Sequence, residues 1–200
     1  MKYAIFPYLC ERNLTLVMKK KTLRLLTASA VFAAVLCVTA PFSVPIGIIP
    51  ISLATFSVYL ASATLGWRGG TLAVICYVAL GAAGLPVFAG FAGGIGKLLS
   101  PTGGFIIGYI PCAALCGLIS RCKHKVSILR NLLGIIAGAA ACYACGILGY
   151  MLVTSSPFSS ALTVCVIPFI LPEIIKIVLA SVLSALITQE VIQRLERTNE

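Results

Sequence analysis

Polar positions are sparse along this chain, and the gaps between charged ones define its elements. No charged side chain falls within residues 25–67, 69–96, 98–120 or 131–172. A helix that crosses a bilayer needs about 20 mostly apolar residues, with a range of about 17–25. Each run therefore holds at least one span, and the first and last have room for a span and a loop. Proline and glycine punctuate the runs. The pattern predicts helices over residues 25–40, 51–66, 71–83, 104–120, 131–153 and 172–195. The second and third are short for a bilayer, so tilt or shielding by neighbours is expected. The expected fold is an all-α integral membrane protein, with six transmembrane helices in one domain over residues 19–200.

Composition agrees with that pattern. The chain is 60% hydrophobic and 10% charged, with a mean hydropathy of +1.09, whereas soluble domains carry about 25% charged residues. Aspartate is absent, and the acids are Glu11, Glu173, Glu190, Glu196 and Glu200. A soluble enzyme, a disordered tail and a secreted disulfide scaffold are excluded. A net charge of +10 raises the question of nucleic acid. The distribution of the charge answers it. With the N-terminus inside, 13 of the 15 basic residues fall on the inner side, among them Lys19, Lys20, Lys21, Arg24, Arg68, Arg121 and Arg130. Cytoplasmic loops concentrate Lys and Arg, so the charge reads as an orientation signal with both termini cytoplasmic. Some affinity for anionic lipid is expected, and no nucleic-acid partner. Lys97 alone falls in an outer loop, and Lys176 lies within the last helix. The expected setting is a membrane that the chain crosses several times.

Residues 1–18 show little periodicity and are expected to form a poorly structured extension. Met18 is followed by Lys19-Lys20-Lys21-Thr22-Leu23-Arg24, a typical basic start to a first span, so the upstream residues are a candidate start-site artefact. The nine cysteines include Cys142-Tyr143-Ala144-Cys145, which has redox spacing. It sits in an apolar helix with no neighbouring cation to lower a thiol pKa, so packing is the expected role. Cys122 and His124 lack the further ligands that zinc requires. Small residues one turn apart, Ala30/Ala34, Gly134/Gly138 and Ala137/Ala141, let helices approach closely in lipid.

Three features carry candidate chemistry. The first is the stretch Gly84-Leu85-Pro86-Val87-Phe88-Ala89-Gly90-Phe91-Ala92-Gly93-Gly94-Ile95-Gly96, followed by Ser100-Pro101-Thr102-Gly103-Gly104-Phe105. Such glycine breaks regular helix, and irregular backbone at membrane depth is tolerated only where it is buried or lines a cavity. No P-loop lysine follows. The second is Glu173 and Lys176, which share one helix face at i and i+3. Charges inside a span are costly and usually face the interior at a substrate site; a structural ion pair is the alternative. The third is the segment broken by Pro41, Pro45 and Pro50, with the hydroxyls of Ser52 and Thr55 after it. The topology gathers all three features at the outer face. An acid, an ammonium, aromatics and glycines there suit a small apolar ligand with a polar ring and a carboxylate.

These stretches resemble the BioY family, the biotin-specific substrate-binding (S) component of energy-coupling factor transporters. The family shows a G-L-P-V-F-x-G-F-x-G-G-x-G block and then G-P-T-G-G-[YF]. Gly84–Gly96 and Ser100–Phe105 match it, with Ser100 where glycine is usual. Pro168-Phe169 and Pro172-Glu173-Ile174-Ile175-Lys176 resemble the family's P-F-x-P-x-D-x-x-K, with Glu173 in the aspartate position. Ile49-Pro50-Ile51-Ser52-Leu53 matches an early V-P-[IF]-[TS]-L-Q stretch, with Ala54 in place of the glutamine. The likeness spans about residues 19–197.

The resemblance implies a six-helix S-component bundle with the vitamin bound near the outer face. It implies a transmembrane coupling protein and a pair of cytosolic ATPases as partners, with Ala30 and Ala34 matching a helix-1 motif that faces the coupling protein. No nucleotide motif is present and no cofactor is expected, so ATP would be used by the partners alone. For biotin, Glu173 would accept from a ureido N–H, and Lys176 would donate to the ureido oxygen or pair with the valerate carboxylate. Phe88, Phe91 and Tyr77 are the expected contacts of the thiophane ring. Gly93, Gly94, Thr102 and Gly103 would bring backbone donors close to the ligand. Competing readings are an S-component for another vitamin, an intramembrane enzyme with Glu173 as base and Lys176 as electrophile, and a purely structural subunit.

Overall fold

A computed structural model of the chain describes residues 6–45, 49–121 and 127–197, with side chains between 22 and 189. Helix α1 runs Phe6–Thr39, and a two-residue antiparallel hairpin follows, β1 (Ser43–Val44) with β2 (Ile51–Ser52). Then come α2 (Ala54–Ala82), the short α3 (Ile95–Leu98), α4 (Gly103–Ser120), α5 (Ile128–Thr154), α6 (Phe158–Cys165), a 3-10 turn (Ile167–Phe169) and α7 (Ile170–Arg197). Among the described residues, five helices are long and apolar enough to cross a membrane.

The expected second and third helices are both present as the two legs of α2, which break at Gly66, the residue at which the second was expected to end. Gly66 adopts φ 75° and ψ −178°, a conformation that side chains resist. The chain reverses there, and a Cβ built on Gly70 would lie 2.6 Å from the Cα of Ser62. The two legs therefore run side by side in opposite directions. Gly117 of α4 approaches the backbone of Trp67 so closely that a Cβ would lie 2.4 Å from its nitrogen, which wedges α4 against the reversal.

The first helix departs from expectation. It begins at Phe6 rather than residue 25. No glycine or proline follows Pro7 until Pro41, and Pro7 falls in the first turn, where proline is tolerated. The apolar part still starts near Thr22. The hairpin, α3 and α6 were not expected, because each is too short to leave a periodic signal. Residues 1–5 of the predicted extension, and the 122–126 segment with Cys122 and His124, lie outside the described residues.

On α7, large apolar side chains face outward and small or polar ones face inward. Along α7, Glu173, Lys176, Ala180, Ser184 and Thr188 are buried, whereas Ile174, Ile175, Val178, Leu179, Val182 and Leu186 are exposed. This is the pattern lipid demands, since helix contacts in a bilayer gain from close approach rather than from hiding apolar surface. Gly134 and Gly138 pack within the chain: added Cβ atoms would meet Cys116 and Ser120, or Cys112, on α4. Cys142 and Cys145 lie against Gly108 of α4. Asn131 donates to Ser184 Oγ at 2.9 Å and ties α5 to α7. Ala30 and Ala34, by contrast, are exposed on α1.

Candidate ligand-binding site

Two ends of the bundle differ in chemistry. Arg24, Arg68 and Arg121 gather at one end, around the Gly66 reversal. A cavity lies at the other, where α2, α4, α5 and α7 meet the proline-broken and glycine-rich loops. Glu173 and Lys176 lie on its wall, only 5% and 9% exposed. They sit at i and i+3 in the first turns of α7, so a single helix face delivers both.

The pair is held by the N-terminal half of the chain. Lys176 Nζ donates to the Ser52 carbonyl at 2.8 Å, to Thr55 Oγ1 at 3.1 Å and to Glu173 Oε2 at 3.5 Å. An ammonium has three donors, and all three are met. Tyr59, fully buried on α2, donates its hydroxyl to Glu173 Oε1 at 2.5 Å. A carboxylate has about four acceptor positions, and these contacts occupy two. Glu173 thus retains acceptor capacity toward the cavity, while Lys176 is fixed chiefly by protein atoms. Its longest contact is the one to Glu173. An unpaired charge buried in this way would cost several kcal/mol, about 3–5 for a broken pair, so the hydroxyl, carbonyl and carboxylate partners are a condition of folding here.

Ser52, Thr55, Tyr77 and Thr102, all expected from sequence, line the same cavity. Phe88, Phe91, Gly93, Gly94 and Gly103 do not line it, and each has a physical reason for its place. Phe88 is fully buried and stacks edge-on against Tyr77, with ring centroids 5.6 Å apart. Its ring fills the space over Gly81, where a Cβ would lie 2.1 Å from Phe88 Cζ. Phe91 is 62% exposed and meets Phe42 instead. Gly93 lies against the Leu85 carbonyl and Gly103 against that of Leu98, closer than a Cβ would allow. Gly94, at φ 88°, donates its N–H to the Gly81 carbonyl at 2.7 Å. The glycine-rich block therefore shapes a loop. Within it, Gly90 N–H bonds to Pro41 O and Phe88 N–H to Ala92 O. The parts of the stretch that reach the cavity are Ala89, Lys97, Thr102 and Phe105.

Sequence reasoning missed several wall residues. Tyr59 does not line the cavity but anchors Glu173, and a lone tyrosine in an apolar run carries no signal for that. Tyr109, Phe105 and Tyr143 also contribute, the last two edge-on at 5.9 Å. Lys97 was assigned no role, yet it is the second cation on the wall. Among the described residues, no group of His, Cys, Asp and Glu is arranged to hold a metal.

The family model described as "BioY family" matches residues 13–193. The chain is 38% identical to "Biotin transporter BioY" of Thermotoga maritima, over 81% of this chain and 94% of that protein. It is also 38% identical to "Probable biotin transporter BioY" of Pyrococcus horikoshii, over 78% and 90%. Its fold is similar to a crystal structure of the S-component for biotin from an ECF-type ABC transporter, with a TM-score of 0.78 and 25% identity, covering 85% of this chain and 93% of that one. A match across nearly the whole bundle, with the buried acid–lysine pair inside it, shows that the chain belongs to the BioY family.

Proposed function

We propose that this chain is a membrane-embedded biotin-binding component that captures the vitamin at the outer face and passes it inward. The observation that carries the reading is the cavity-facing Glu173, with acceptor positions to spare beside a lysine already held in place. A ureido ring offers N–H donors and a carbonyl acceptor, which complement this pair. Glu173 takes an N–H, and Lys176 exchanges its 3.5 Å contact to Glu173 for the ureido oxygen. Lys97 then meets the valerate carboxylate, and Tyr77, Tyr143 and Phe105 flank the thiophane ring. Ser52, Thr55 and Thr102 supply the polar edge of the wall.

In this reading the chain is no enzyme and carries no cofactor. It lies in a bacterial inner membrane with the arginine-rich end and both termini toward the cytoplasm. Family membership supports a transmembrane coupling protein and a cytosolic ATPase pair as partners, with ATP used only there. The exposed Ala30 and Ala34 offer the close-approach face for the coupling protein.

The test is calorimetry of the purified chain in neutral detergent against biotin, lipoate, thiamine and riboflavin. Saturable binding of biotin alone is expected. Binding of another vitamin in its place overturns the assignment, and binding of none overturns the capture role. Labelled biotin uptake in cells lacking their own transporter, with and without the coupling proteins, separates capture from transport.

A further inference from the structure

The arginine-rich end of the bundle holds a second feature, separate from the outer cavity. A groove of about 780 Å³ opens between α1, the Gly66 reversal, the end of α4 and α7. Arg24, Arg68 and Arg121 line it, and no acid does among the described residues. Arg121 is fixed by donation to the Ala63 and Thr64 carbonyls and to Thr188 Oγ1. The Arg68 guanidinium lies 5.2 Å from the centroid of the Trp67 ring. Stacking on an aromatic face leaves a guanidinium's N–H edges free to fork onto an oxyanion. Beyond this rim the walls turn apolar, with Leu25 and Phe32 on one side and Ile187 on the other. Phe32 lies about 12 Å along α1 from Arg24 at 1.5 Å per residue, so the groove leads from a cationic rim into the hydrocarbon layer.

We propose that this groove binds an anionic phospholipid, with its phosphate among Arg24, Arg68 and Arg121 and an acyl chain along Leu25, Phe32 and Ile187. A half-exposed Trp beside arginines marks the membrane–water boundary, and basic pockets between spans bind anionic headgroups on the cytoplasmic side. The graded polarity favours a lipid over a free phosphate. The orientation of α1 favours a lipid over a protein partner: at 3.6 residues per turn, Ala30 and Ala34 fall on the side of the helix opposite Ala28 and Phe32.

Native mass spectrometry of the full chain in neutral detergent, with dioctanoyl phosphatidylglycerol or dioctanoyl phosphatidylcholine added, reads the preference directly. The wild-type chain should retain the anionic lipid preferentially. The Arg24→Gln/Arg68→Gln variant should lose about 30-fold in that preference, with unchanged elution and helical circular dichroism. Equal retention of both lipids by the wild type overturns the proposal without reference to any variant. So does a variant that keeps the preference, or one that keeps it while failing to assemble with a coupling protein, which would mark a protein-docking groove. Displacement of the lipid by equimolar inorganic phosphate or glycerol 3-phosphate would assign the site to a free anion and overturn it as well.

Discussion

Removing the buried ion pair in parts separates its two roles. Glu173→Gln keeps the size of the side chain and a carbonyl acceptor but withdraws the charge that faces Lys176. Lys176→Met leaves Glu173 with Tyr59 alone. Each side chain is almost fully enclosed, so screening by water does not soften the loss, and breaking a buried pair costs about 3–5 kcal/mol. Met should fall at the upper end of that range, because it abandons three hydrogen bonds. Gln should fall at or below the lower end, because the Ser52 and Thr55 contacts remain. The double variant leaves no uncompensated charge and should be more stable than the sum of the two losses predicts, with a coupling above about 0.5 kcal/mol. Ligand binding should behave differently. A hydrogen bond to a charged group is worth about 1.5–3 kcal/mol, so every variant without the Glu173 carboxylate should bind biotin about 10- to 150-fold more weakly, and the double variant should not recover. Detergent thermal melts give the first quantity and calorimetry the second. A double variant that regained both stability and wild-type affinity would make the pair a structural clasp and refute its role toward the ligand.

Three further outcomes follow from the same geometry. Lys97→Gln should weaken biotin about tenfold, the worth of one charge-assisted contact, yet leave biotin amide almost unchanged; calorimetry with both ligands checks it, and equal losses would remove Lys97 from the carboxylate. Gly81→Ala should lower the melting temperature by forcing Phe88 from its slot, at about 1–3 kcal/mol for overpacking, whereas Phe91→Ala, at an exposed ring, should leave biotin affinity within about twofold. Ala30→Leu/Ala34→Leu should keep biotin binding but block co-purification with the coupling protein, because the added bulk prevents close helix approach.

The membrane architecture was legible because charge is so rare in this chain that each charged residue is informative. The runs between charges located every long helix, and the proline and glycine breaks fixed most ends to within a few residues. What escaped were features with no period. The N-terminal part of α1, from Phe6 to about residue 21, escaped for that reason, whereas the break at Gly66 falls at the expected end of the second helix. The β1–β2 pairing depends on Ser43 meeting Ser52 across a proline-broken loop, a contact set by tertiary closure rather than by local preference.

The site was legible by the same logic and failed where that logic stops. Glu173 and Lys176 stood out as ionisable groups in hydrocarbon, where only function or pairing repays the cost. The aromatic residues did not, because a ring in an apolar run is equally at home in a core, in a cavity wall or against lipid. Phe88, Phe91 and Tyr59 went to three different places: a slot over Gly81, the exposed outer surface, and a hydrogen bond to the carboxylate. The glycine block acts at one remove from the cavity. Its conformational freedom is used to fold a loop tightly enough that Ala89, Lys97 and Thr102 reach the cavity, so the block contributes chiefly by placing its neighbours. The polar residue that such a loop carries is therefore a better candidate contact than the glycines that shape it, and in this chain that residue is Lys97.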